Sequence, residues 1–138
     1  MLAWLALSAE LTHADVDETP YGGELPSSTA LRLAVTKVHA VESTDDDVWV
    51  LGADTVVDLD NVSLGKPGDA AEARAMLRQL RKRSHAVHTA VALYHPQTRQ
   101  VCARRVTSTV QMRAYTDREI EAYVQTRDPM DKAGAYAI

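Results

Sequence analysis

The residues best equipped for chemistry in this 138-residue chain are Asp54 and Lys66. Asp54 follows the apolar run 48–51 and Gly52-Ala53, which puts a carboxylate at the end of a buried strand. Lys66 comes after a second run, 56–59, a turn at Asp60-Asn61 and the return Val62-Ser63-Leu64. An acid and an ammonium on rigid elements suit a metal and a phosphate, or a general base with a charge stabiliser. The plainer readings are a strand-end cap and a solvated turn lysine. Gly52, lacking a side chain, allows a ligand to approach the backbone. Gly65-Lys66 is not a Walker phosphate loop, which needs a glycine at Asp60 and Ser or Thr at Pro67.

Other charged groups carry two readings each. Asp15, Asp17 and Glu18 form a cation site or a solvated acidic loop, and a loop is the ordinary fate of a charge run. Asp131 and Lys132, beside a glycine, bind phosphate or pair with each other. Asp58-Leu59-Asp60 resembles the Asp-x-Asp nucleophile strand of haloacid-dehalogenase-type phosphatases, but the immediate return strand favours a simple hairpin. His85 and His88, three apart on a strand, face opposite ways and make no metal pair. Arg78, Arg81, Lys82 and Arg83 complement the dipole at a helix end, and Cys102 has the setting of a packing residue.

The elements that must position these groups follow from periodicity. Apolar residues in 2–7 read as a helix end, and 10–16 as a strand or extended segment. Ser27 or Ser28 caps a helix reaching about Val41, with Leu31, Ala34, Val35 and Val38 on its inner face. Asp45-Asp46-Asp47 is a solvated turn. Asp69 caps a helix, with Glu72 as its partner, that buries Ala73, Met76, Leu77 and Leu80. Strands follow at 85–94, with Val87, Thr89, Val91 and Leu93 on one face, and at 101–113. Thr116 and Glu119 form a capping box for a helix carrying Ile120, Tyr123 and Val124. This order predicts an α/β fold with a mixed, twisted sheet and flanking helices. The length suits one domain. A net charge of −4 argues against a nucleic-acid partner. One cysteine excludes an internal disulfide and points to a reducing, cytoplasmic setting; no run is long enough for a membrane span.

Several of these pieces, in this order, resemble the Maf (septum-formation-inhibitor-like) family of nucleoside triphosphate pyrophosphatases. They are Asp15-Val16-Asp17-Glu18-Thr19-Pro20, Leu31-Arg32-Leu33-Ala34 with Lys37, and Leu51-Gly52-Ala53-Asp54-Thr55-Val56-Val57. Leu64-Gly65-Lys66-Pro67 with Asp69, Met76-Leu77-Arg78 with Leu80, and His85 with Val87 and Thr89 continue the match. Asp128-Pro129 and Asp131-Lys132-Ala133-Gly134-Ala135-Tyr136 close it. The resemblance implies a fold related to inosine triphosphate pyrophosphatases, with a cleft between two lobes. It implies hydrolysis of a nucleoside triphosphate between the α and β phosphates, aided by a divalent cation (Mg2+ or Mn2+). The Gly-Ala-Asp-Thr and Lys-Ala-Gly-Ala-Tyr forms resemble the dTTP/UTP branch rather than the 7-methyl-GTP branch. By that resemblance Asp54, Lys66 and Glu18 are catalytic, and Asp54 and Glu18 bind the metal. Lys132, Asp131 and Thr55 bind substrate, and a homodimer is possible within such a family.

The chain departs from the family at its ends. The Ser-x-x-Arg-Arg phosphate loop does not precede Met1, Ala137 stands where a glycine is usual, and Arg81-Lys82 replaces a Ser-Gly turn. The expectation is a single Maf-like domain, 1–138, lacking its N-terminal phosphate loop and C-terminal segment, and poorly soluble alone. Two alternatives stand beside the pyrophosphatase reading: a non-catalytic nucleotide-binding or cell-division remnant, and a phosphatase using Asp58.

Overall fold

The structure, a computed structural model, describes residues 9–41 and 47–137. The helix expected within 2–7 and most of the Asp45-Asp46-Asp47 turn lie outside the described residues. The segment 9–24 has no regular secondary structure, so the strand alternative at 10–16 gives way to an extended loop.

Helix α1 spans Pro26–Ala40. Leu25 occupies its N-cap without a side-chain bond, and Ser27 and Ser28 fall inside the first turn. The expected serine cap is not made; the helix instead starts at Pro26, whose ring presets the helical φ and which has no N–H to satisfy. The buried face is Thr29, Ala30, Leu33, Ala34 and Val38; Leu31 and Val35 sit at its margin.

Strand β1, Val50–Leu59, is continuous where the sequence suggests two runs. Asp60 and Asn61 both take left-handed φ, 57° and 65°, the geometry of a two-residue hairpin turn matched to strand twist. Strand β2 is only Val62–Leu64. Helix α2, Ala70–Leu80, is capped by Asp69, whose side chain accepts from the Glu72 N–H, and it buries Ala73, Met76, Leu77 and Leu80 as expected. Strands β3, Ser84–His95, and β4, Gln100–Gln111, form a long hairpin. Helix α3, Asp117–Gln125, begins with the Thr116–Glu119 capping box. Two 3-10 turns follow, Asp128–Asp131 and Ala133–Ala135.

The sheet order is β2-β1-β3-β4, and every pair is antiparallel. The α/β character stands, but the expected mixed pairing does not arise among the described strands. β2 and β3 run the same way around the α2 crossover, yet β1 lies between them, so no parallel ladder forms.

Two apolar clusters cover opposite faces. On one face α2, α3 and the 3-10 turns pack on Val57, Leu59, Leu64 and Val87. On the other, Ala30, Ala34 and Val38 of α1 sit on Val56, Ala90 and Ala92. The α2/α3 layer covers only one end of its face, so Val91 and Leu93, expected on the same face as Val87, are exposed, as is Val106 on the neighbouring strand. Cys102 is exposed as well, correcting its assignment to packing. Gly52 serves the core: a Cβ there would lie 2.7 Å from Val38 Cγ1 and 2.9 Å from the Ala34 carbonyl oxygen. The backbone that approaches Gly52 belongs to α1, not to a ligand. Among the described residues no helix is long and apolar enough to cross a membrane.

Candidate active site

β2 pairs with β1 only over Val57–Leu59, leaving 50–56 of that edge without a strand neighbour among the described residues. A cleft of about 1030 Å³ opens there. One wall is α1 and the acidic loop, through Leu33, Lys37 and Glu18; the other carries Lys66, Lys132 and Tyr136.

At its centre the Lys37 ammonium donates to Glu18 Oε1 at 2.6 Å and to Asp54 Oδ1 at 2.7 Å. Strand alternation turns Asp54 toward α1, and Lys37 stands one turn beyond Leu33 on the same helix face. The two carboxylates then diverge by environment. Asp54, 8% exposed, is pushed up by burial even though Lys37 opposes the shift. Glu18, 52% exposed, is held below its ordinary value mainly by its hydrogen bond to Lys37. Burial works against the Lys37 charge, but the bonds to Asp54 and Glu18 outweigh it and raise the lysine. The Lys66 charge also favours the ionised form of both carboxyls.

The other expected residues are placed as follows. Lys66 lines the cleft just past β2. Thr55 lines it from the opposite face of β1, its Oγ1 3.1 Å from Thr89 Oγ1. Lys132 reaches the cleft but is latched, donating to the Asp128 carbonyl at 2.7 Å, to its Oδ1 at 3.0 Å and to Asp131 Oδ1 at 2.7 Å. Asp131 does not line the cleft and touches the site only through Lys132. The Gly134 N–H donates to the Gly65 carbonyl at 2.9 Å, joining the Lys132 and Lys66 loops. Gly134 has φ +68°, and a Cβ there would sit 3.1 Å from Val57 Cγ1.

Asp58 is outside the cleft. It accepts from the Asn61 N–H and pairs with His88 Nε2 at 3.1 Å, away from the cleft that holds Asp54 and Lys66. His85 and His88 do point to opposite faces, toward Tyr136 and toward Asp58 and Thr107. Lys37 is the charged cleft residue that residue-by-residue reading did not single out.

Glu18 and Asp54 form a hard-oxygen donor pair of the kind that holds Mg2+ together with substrate phosphates and waters. Among the described residues no group of three or more His, Cys, Asp or Glu converges on one point. Two carboxylates do not make a closed structural site, and a cation held by them would need other oxygens to complete its shell.

The family model described as Maf-like protein matches residues 1–138. A dTTP/UTP pyrophosphatase of Myxococcus xanthus is 45% identical over 140 residues, covering 100% of this chain and 69% of the relative. A 7-methyl-GTP pyrophosphatase of Thiobacillus denitrificans is 43% identical over 135 residues, covering 98% and 67%. A dTTP/UTP pyrophosphatase of Pelotomaculum thermopropionicum is 41% identical over 138 residues, covering 100% and 72%.

Proposed function

The chain belongs to the Maf family, and on that premise we propose that it hydrolyses dTTP and UTP between the α and β phosphates, releasing the nucleoside monophosphate and pyrophosphate. The observation that carries this reading is Lys37 bridging Glu18 and Asp54 in one cleft with Lys66 and Lys132. The names of the Myxococcus and Pelotomaculum relatives, with the Gly-Ala-Asp-Thr and Lys-Ala-Gly-Ala-Tyr forms of this chain, support the choice of base.

Asp54 is the proton acceptor for the attacking water. Burial makes it a stronger base than a surface carboxylate, and Lys37 keeps it ionised and oriented. Lys66 faces the phosphates and stabilises the charge that builds on them as the bond breaks. Lys132 adds positive charge at the far wall, with Asp131 fixing its ammonium, and the Thr55 hydroxyl offers a neutral contact. Glu18 and Asp54 would hold Mg2+ or Mn2+, which neutralises triphosphate charge and draws the phosphates to the site.

Asp54→Asn tests the assignment, because the amide preserves shape and removes the base. Pyrophosphate release from dTTP is expected to fall about 100-fold or more. Undiminished release sinks the role of Asp54, and orthophosphate as the first product sinks the cleavage site.

A further inference from the structure

We propose that Arg32 is a positioning residue whose guanidinium clamps the segment 17–24 onto α1 and so holds Glu18 beside Lys37 and Asp54. The inference rests on the reading of the cleft given above.

Glu18 needs such a clamp because its segment has no helix or strand to hold it. A half-exposed side chain on a free loop would spend little time against one particular ammonium. The loop is not free. Arg32 Nε donates to Glu24 Oε1 at 2.8 Å, and Nη2 donates to Glu24 Oε2 at 2.8 Å, a two-pronged pair that fixes the guanidinium plane. The same Nη2 donates to the Thr19 carbonyl at 3.1 Å. Arg32 Cζ lies 4.0 Å from the Tyr21 ring centroid, a cation–π contact. Glu24 Oε2 also accepts from the Tyr21 N–H at 3.0 Å, and Asp17 Oδ1 accepts from the Thr19 N–H at 2.9 Å. Glu18 therefore stands between Asp17 and Thr19, which are bonded to each other, and Thr19 is in turn tied to the guanidinium.

The geometry also says why lysine cannot substitute. An ammonium is a single point of charge and cannot make a fork on Glu24, reach Thr19 and lie flat against Tyr21 together. Arg32 is not itself part of the cleft lining and bonds none of the proposed reacting groups; it meets the lining at Thr19, the residue after Glu18, so its effect must pass through that loop.

The test pairs hydrogen exchange with a double-mutant cycle on the full chain. In Arg32→Gln and in Arg32→Lys, amide exchange over 17–24 is expected to quicken while 33–40 of α1 stays protected. For dTTP, kcat/KM is expected to fall about 10- to 100-fold in both variants. In a Glu18→Gln background the Arg32→Gln change should cost less than about twofold, since the group it positions is already lost. Unchanged exchange over 17–24 overturns the proposal, and so does a full tenfold loss in the Glu18→Gln background. Absence of pyrophosphate release by the wild type would overturn the reading of the cleft instead. The clamp then stands or falls on the exchange result alone.

Discussion

Gly52→Ala is the smallest change that should disturb both the stability and the site of this molecule. The new Cβ would meet Val38 Cγ1 at 2.7 Å and the Ala34 carbonyl oxygen at 2.9 Å. The methyl of Val38 can turn away, but the carbonyl belongs to the helix backbone, so α1 must lift from β1. Overpacking of this kind costs about 1–3 kcal/mol. For a chain of this length that is a fall in Tm of roughly 4–10 °C. The same lift separates Lys37 on α1 from Asp54 on β1, now 2.7 Å apart, and a displacement near 1 Å costs on the order of 100-fold in rate.

Thermal melts by circular dichroism and pyrophosphate release from dTTP read the two effects. Gly22→Ala is the control, because a Cβ at Gly22 has nothing within 4 Å. Val38→Ala combined with Gly52→Ala should destabilise less than the two changes added, since one removes half of the other's clash; the Ala34 carbonyl remains, so recovery is partial. A Gly52→Ala protein that melts within about 1 °C of wild type would refute the close seating of α1 on β1. With it would go the argument that this seating sets the Lys37–Asp54 distance.

Two further predictions concern charge. Lys66→Met should lower kcat about 100-fold, the scale of losing one preorganised charge stabiliser, with a smaller change in KM; a rise in KM alone would make Lys66 a binding group only. Glu24 and Glu121 are held at about 2, below the usual 4.5, chiefly by their hydrogen bonds to Arg32 and Arg74. Depressed carboxyls stabilise the fold above their unfolded value and cease to do so as pH falls through the folded one, so Tm should be level above about pH 5 and decline from about 4.5 toward 2. A Tm unchanged down to pH 2.5 would contradict both pairings.

The local rules were readable because their signals are local. Asp60-Asn61 could only be a tight turn, Asp69 and Thr116 announce their helices, and the α2 stripe faces the core as its spacing demands. What failed to show was which stretch of an alternating strand is covered. Val87 and Val91 share a face and a residue type, yet one is buried and the other exposed, because α2 and α3 reach only part of the sheet. The Ser27 and Ser28 cap failed because the helix starts before them, with Pro26 in its first turn and Leu25 at the cap without a side-chain bond. Asp54 and Lys66, singled out residue by residue, do line one cleft, but Lys37 joins them there only through its meeting with β1 and the acidic loop. No periodicity records that meeting.

On the proposed reading, the pairing at Lys37 also says what a divalent cation would be for. Two carboxylates facing a cleft would repel a triphosphate, and Lys37 and Lys66 together balance those two charges without a surplus for the phosphates. Lys132 adds less than its full charge, since Asp128 and Asp131 already surround it. Substrate therefore needs further positive charge at Glu18 and Asp54, whereas the empty fold does not, because Lys37 already satisfies both oxygens. EDTA should accordingly abolish turnover of dTTP yet leave Tm within about 2 °C, and added Mg2+ should restore the rate without raising Tm in the absence of nucleotide. A large fall in Tm on chelation would mean that the cation is part of the fold, and undiminished turnover would mean that Lys37, Lys66 and Lys132 suffice for the phosphates on their own.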